Sequence, residues 1–232
     1  MTKLAVASLT IAAALAMAPA AMATTINFSC PGSLNGGATC TTSPTTQAMT
    51  SWSQGGYRVT PTAGSWDYNF FQGNPPPGSS SGTGAAQTIA IATAPTGGDF
   101  SFASVDLGTL TAPNKSMTFS IIGDSGATQE FDITGTLNGS HCTIAVGTCS
   151  ADGLNGNGNG VYYFTISDAA DSLFSITALD ITLTPTSGQF GYVDNIVLTP
   201  EPTSLLLLGT GLLGLAFVAF RKSKSSVLAL HA

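Results

Sequence analysis

The stretch "QEFDITGTL", residues 129–137, decides how the rest of the chain is read. Phe131, Ile133 and Leu137 alternate with Glu130, Asp132, Thr134 and Thr136. Successive side chains of an extended chain point to opposite faces, so a period of two marks a strand with one face buried and one wet. Similar short runs recur in "QTIAIAT" (87–93), "SMTFSII" (116–122), "HCTIAVG" (141–147), "VYYFTIS" (161–167), "LFSITALDITLT" (173–184) and "FGYVDNIVLT" (190–199). β-Branched and aromatic residues dominate these runs, and Gly, Asn, Asp and Pro separate them. No helical period runs through this part of the chain.

Eight to ten short strands without helices predict an all-β fold: an antiparallel β-sandwich of jelly-roll type over residues 24–198, long enough for one sizeable core. Two strands carry a slip of phase. In "FSFASVDLG" the apolar positions pass from Phe100 and Phe102 to Val105 and Leu107. In "FSITALDITL" they pass from Phe174, Ile176 and Ala178 to Leu179, Ile181 and Leu183. A slip would flip the buried face, so a bulge or bend is expected at Ala103–Ser104 and at Ala178–Leu179. The segment "GNPPPGSSSGTGAA" (73–86) is expected to be a surface loop or hinge, because three prolines remove ladder donors. "DGLNGNGNG" (152–160) is expected to be a second loop.

Both ends read as targeting segments. Lys3, the apolar run Leu4 to Met17 and the small-x-small Ala21-Met22-Ala23 make residues 1–23 a signal peptide that signal peptidase would cut before Thr24. Between Thr24 and Pro200 the basic residues are Arg58 and Lys115, against eleven acids, a formal charge of −9. Nucleic acid is therefore excluded as a partner, since phosphate binding needs Lys and Arg. Cations and neutral sugars remain open.

The four cysteines fall into two local pairs, Cys30 with Cys40 and Cys142 with Cys149. Of three possible connectivities this is the simplest, and an oxidising compartment would preserve it. A zinc site would want closer spacing or more histidine than the lone nearby His141.

No catalytic residue is assigned. Without His141 no nucleophile–base set can be assembled, and "GNGNG" lacks the lysine and the strand-to-helix context of a phosphate loop. An acid pair for glycoside hydrolysis has no local motif. A binding module is more in keeping with the composition. Trp52, Trp66 and Tyr68 are its candidate exposed aromatics, along with Tyr57, Tyr162 and Tyr192, although such rings commonly fill cores. Asp152, Asn155, Asn157 and Asn159 alternate like a calcium loop without its closing glutamate, so Ca²⁺ is the one cofactor considered. Asp194-Asn195 reads as a turn in preference to a metal site.

The C-terminal stretch is Pro200-Glu201-Pro202, then "LLLLGTGLLGLAFVAF" (205–220), then Arg221-Lys222-Ser223-Lys224. The sixteen residues of this largely apolar run, at about 1.5 Å each, approach the thickness of a bilayer core. The basic stop puts the β-domain on the far side from the cytoplasm, leaving 225–232 as a cytoplasmic tail.

This order resembles the PEP-CTERM sorting signal of Gram-negative bacteria, here spanning 199–224, a signature also named the ice-binding protein C-terminal domain. The resemblance implies an exosortase, a membrane-embedded transpeptidase, that processes the chain near Pro200-Glu201-Pro202. It also implies passage through the inner membrane and a setting in exopolysaccharide, biofilm or floc matrix. The expected role is structural or adhesive. A lectin-like carbohydrate- or calcium-binding module is the first alternative, and a polysaccharide hydrolase the second.

Overall fold

The structure, a computed structural model, describes residues 23–28, 33–36, 47–68, 77–79, 84–94, 98–110, 116–124, 129–154, 161–168, 173, 175–186, 190–200, 211, 214 and 215. All its strands lie within one compact unit, Ala23–Pro200. They are β1 (Thr24–Ile26), β2 (Ser33–Leu34), β3 (Gln47–Ala48), β4 (Trp52–Gln54), β5 (Tyr57–Ala63), β6 (Trp66–Tyr68), β7 (Pro77–Ser79) and β8 (Gln87–Thr93). The second half adds β9 (Phe100–Leu110), β10 (Ser116–Asp124), β11 (Gln129–Asn138), β12 (His141–Ile144), β13 (Thr148–Leu154), β14 (Val161–Ser167), β15 (Ala178–Pro185) and β16 (Gly191–Pro200).

They form two antiparallel sheets of eight strands each. The first runs β13-β14-β9-β16-β7-β6-β3, with β1 also on β16; the second runs β12-β11-β10-β15-β8-β5-β4-β2. The opening stretch is β11, with Ile133 and Leu137 fully buried as its alternation demands. On β10 and β15 the same rule buries Met117, Phe119, Ile121, Leu179, Ile181 and Leu183. Inward residues of both sheets, Val105, Leu107 and Ile166 among those of the first, join in one core.

The sixteen strands among the described residues exceed the eight to ten expected. Six of the strands are two- and three-residue pairings in the first eighty residues, too short for any alternation to show, and the seven-residue β5 and β13 also lie outside the runs quoted above. One of the short pairings corrects the loop expected at 73–86. Pro77–Ser79 is β7, between β6 and β16 in the first sheet. Only one of the three prolines enters it, at the first position, and the pairing to Tyr192 of β16 is made by Gly78. Asp152 likewise lies in β13 and not in a loop: Ala151 faces Phe164 and Gly153 faces Tyr163, so Asp152 is the extra residue of a bulge.

The first phase slip is found where expected, and the second lies ahead of the expected Ala178–Leu179, which pair regularly. Opposite β16, Ser104 pairs with Val197 and Phe102 with Leu198, so Ala103 is the surplus residue. The second slip breaks the expected strand 173–184. Ser175 has φ +53°, Ile176 bridges to Phe100 of the first sheet, and β15 starts in the second sheet at Ala178. The chain changes sheets there, and the buried face changes with it.

Among the described residues of the C-terminal run, Gly211, Gly214 and Leu215 are helical. The rest of 205–220 lies outside the described residues, as do 1–22 and the tail 225–232. No helix among the described residues is long and apolar enough to cross a membrane.

Candidate functional site

Strand β16 carries the chain out of the sheet. It is an internal strand with partners on both sides: Leu198 pairs with Phe102 of β9 and with Thr24 of β1, and Pro200 pairs with Phe100. Leu198 and Ile196 are fully buried. The first residue expected after signal-peptide removal, Thr24, therefore lies in register beside the last residues before Glu201. Glu201, Pro202, Arg221 and Lys222 lie outside the described residues.

Midway along β16 sits a polar cluster that sequence reading did not assemble. Asp194 and Asp106 are register partners on adjacent strands, both buried. Like charges placed opposite one another repel. Burial first, and then the Asp106 charge, push the Asp194 carboxyl up to about 7, against the pull of the Asn195 N–H. Asp106 accepts hydrogen bonds from Thr165 Oγ1 (2.7 Å) and Asn195 Nδ2 (2.8 Å), and Asp194 Oδ1 accepts from Asn195 N (2.8 Å). Asn195 has φ +45° and stands with Ile196 as the bulge between Asp194 and Val197. Asp194-Asn195 is thus a clamped bulge inside a strand and not the expected turn. The neighbouring Tyr163 phenol is driven above its ordinary range by burial and by Asp194, Tyr192 and Asp106. No local spacing signals this cluster, because Asp106 and Asp194 meet only through the pairing of distant strands.

Three of the candidate exposed aromatics are core residues. Trp52 is fully buried against Phe28, centroids 5.7 Å apart, with its Nε1 donating to Gln54 Oε1 at 3.1 Å. Trp66 is buried too, its Nε1 donating to Ala63 O at 3.3 Å. Tyr57 is also buried, edge-on to Phe100. All three rings fill volume, as the alternative for each one held; the two indole N–H groups are tied off locally, whereas the buried Tyr57 hydroxyl has no hydrogen-bond partner among the described residues. The side chain of Tyr68, on β6, is outside the described residues.

Cys142 and Cys149 are bonded to each other. Cys142 is on β12, the edge of the second sheet, and Cys149 on β13, the edge of the first, so the bridge joins the two sheets at one side. Gly147 makes the crossing between them with φ +90°, where an added Cβ would stand 2.6 Å from Ser167 O. Cys30 and Cys40 lie outside the described residues, as do Asn155, Asn157 and Asn159. Among the described residues no group of three His, Cys, Asp or Glu is placed to hold a metal.

A shallow groove of about 590 Å³ runs along the outer face of the second sheet. Threonines on β10, β11, β12 and β15 line it. Its sequence signal is the outward pair in Thr118-Phe119-Ser120, Thr134-Gly135-Thr136 and Thr182-Leu183-Thr184, seen in the sequence only as the wet half of each alternation.

The model of the family described as the PEP-CTERM protein-sorting motif matches residues 198–222. The chain carries that sorting motif. Its first residues, Leu198 to Pro200, are the last of β16. The first three residues of the sorting motif are thus part of the β-domain.

No curated protein matches the chain in sequence. Solved structures similar to it include a family 29 carbohydrate-binding module from Piromyces equi, at 9% identity over 78% of this chain and 92% of that one, TM-score 0.38. Another is a CBM28 module specific for non-crystalline cellulose, at 13% identity over 56% and 78%, TM-score 0.35. A third is TmCBM61 in complex with β-1,4-galactotriose, at 11% identity over 63% and 90%, TM-score 0.30. Likenesses at these scores carry no argument about this chain.

Proposed function

We propose that this is an exported, exosortase-sorted protein of the cell surface or extracellular matrix, whose jelly-roll-like domain has a structural or adhesive role in exopolysaccharide or biofilm. In this reading a signal peptide ends at Ala23. The run 205–220 then holds the chain across the inner membrane, with Arg221 and Lys222 on the cytoplasmic side. Processing near Pro200-Glu201-Pro202 releases the domain. The observation that carries the reading is the sorting-motif match at 198–222, directly at the end of a compact β-domain. The cross-sheet disulfide is in keeping with an oxidising destination.

The reading assigns no catalysis. Among the described residues the one carboxylate pair in register, Asp106 with Asp194, is engaged in holding the β16 bulge.

Replacement of Pro200-Glu201-Pro202 by three alanines in the producing bacterium tests the proposal. The expected result is a chain that stays at full post-signal length in the inner-membrane fraction while the wild type reaches the surface. Unchanged arrival of the variant at the surface would contradict it.

A further inference from the structure

Register places two hydroxyl rows side by side on the outer face of the second sheet. One row crosses four strands as Thr143, Thr136, Thr118 and Thr184. The next crosses β11, β10, β15 and β8 as Thr134, Ser120, Thr182 and Thr88. Neighbouring strands lie about 4.8 Å apart, and alternate residues of one strand about 6.7 Å apart, so the rows form a regular net. Thr88 and Thr182 bond to each other at 2.9 Å. The hydroxyls of Thr118, Ser120, Thr134, Thr136, Thr143 and Thr184 make no hydrogen bond with another described residue; Thr118, Thr134 and Thr143 are exposed, and Ser120, Thr136 and Thr184 are partly exposed.

The net is uncharged. Asp132 and Asp180 first bring carboxylates one row further along, where they flank Ile122. This neutral strip lies on a domain with a formal charge of −9 between Thr24 and Pro200. An anionic chain would meet the field of the whole domain, and a cationic one would be drawn to the acids outside the strip. The groove volume of about 590 Å³ falls within the range of small-ligand sites.

We propose that this threonine-lined groove binds an extended, uncharged polysaccharide, with sugar hydroxyls bonding to the two rows and sugar C–H faces resting on the threonine methyls. A polyol chain offers donors and acceptors at repeating intervals, and each threonine hydroxyl can do either. The site needs no stacking aromatic and no metal. It deepens the matrix reading by naming the ligand class, and it rests on that reading only for its biological setting.

The test is affinity electrophoresis of the full chain in mild detergent, through gels containing dextran, hydroxyethylcellulose or galactan, with alginate as the anionic comparison. Retardation is expected in at least one uncharged gel and not in alginate. Thr134→Glu with Thr182→Glu is expected to weaken it by about tenfold or more, since several hydrogen bonds are lost at once. Ser150→Glu, on exposed β13 of the other sheet, is expected to leave it unchanged. An unaltered melting temperature and intact Cys142–Cys149 bond establish that the double variant is folded, and Thr134→Ser with Thr182→Ser is expected to restore most binding. Failure to bind any uncharged gel, stronger binding to alginate, or equal loss in Ser150→Glu would overturn the proposal. So would shaping of growing ice crystals without glycan binding, which would assign the net to ordered water. The purified protein is assayed independently of its export, so failed sorting with intact binding would sink only the sorting reading.

Discussion

Asp194 shows what a single residue contributes here. Its carboxyl is pushed up to about 7 in the folded domain, first by burial and then by Asp106, from an ordinary value near 4. The folded state therefore holds a proton that the unfolded chain has already released between about pH 4 and 7. Stability falls as pH rises through that window, and the contribution is present below it. Asp180, raised by burial and then by Asp124, acts in the same direction. Thermal unfolding should give a higher melting temperature at pH 5 than at pH 7.5. With about 2 kcal/mol from Asp194 the difference is about 4–8 °C. Asp194→Asn should remove most of that difference, leaving the part owed to Asp180. A pH dependence untouched by the substitution would refute the assignment.

Gly135 is a second case. It occupies the inward slot of β11 between Ile133 and Leu137, where a side chain of any size is excluded. An added Cβ would stand 2.5 Å from Phe119 Cζ and 2.6 Å from Thr143 O. Gly135→Ala should cost about 1–3 kcal/mol by overpacking, read as a lower urea midpoint at unchanged m-value.

Among the elements, the pair β12 and β13 links the two sheets by a short crossing and by Cys142–Cys149. Closing a loop with a sequence separation of 7 restricts the unfolded chain by roughly 2–3 kcal/mol in the chain-entropy account. Cys142→Ser with Cys149→Ser should lower the melting temperature by several degrees. Reductant should do the same to the wild type and nothing further to the variant, apart from any bridge made by Cys30 and Cys40.

The elements also show where sequence pattern carries information. Strands of seven or more residues with one wet face, such as β8, β10 and β14, are legible because alternation has room to repeat. The slip in β9 announced its bulge for the same reason. β2, β3 and β7 were not legible. Two or three residues contain no period, and their pairing is decided by what lies next to them in space. Asn35 is an instance: at φ +52° its Oδ1 accepts from Thr50 N, Thr50 Oγ1 and Ser51 N while its Nδ2 donates to Ala48 O, tying β2 to the segment between β3 and β4. The side taken by the tryptophans is not legible, because aromatic composition says nothing about which face of a sheet a ring occupies. The Asp106–Asp194 clamp and the threonine rows were hidden for a related reason. Both are created by register between strands up to about ninety positions apart.

At the scale of the whole molecule, the last strand of a wet-faced β-sandwich supplies the first three residues of a sorting motif. The inner face of each sheet builds the core, and the outer face of the second sheet is left to a neutral hydroxyl net. Pairing of Thr24 with Leu198 brings the beginning of the domain alongside its exit, so both proposed processing points adjoin the same pair of strands. Leu198 is held between β1 and β9, and Thr199 and Pro200 pair with β9, so in the proposed reading the processing enzyme would take its substrate from Glu201 onward.

The measurement that tests this account most directly is the intact mass of the protein recovered from the cell surface. The predicted form begins at Thr24 and ends within Pro200-Glu201-Pro202, with any attached group added there. A surface form that still contains the residues from Thr203 to Ala232 would contradict release by processing and make the C-terminal run a permanent anchor.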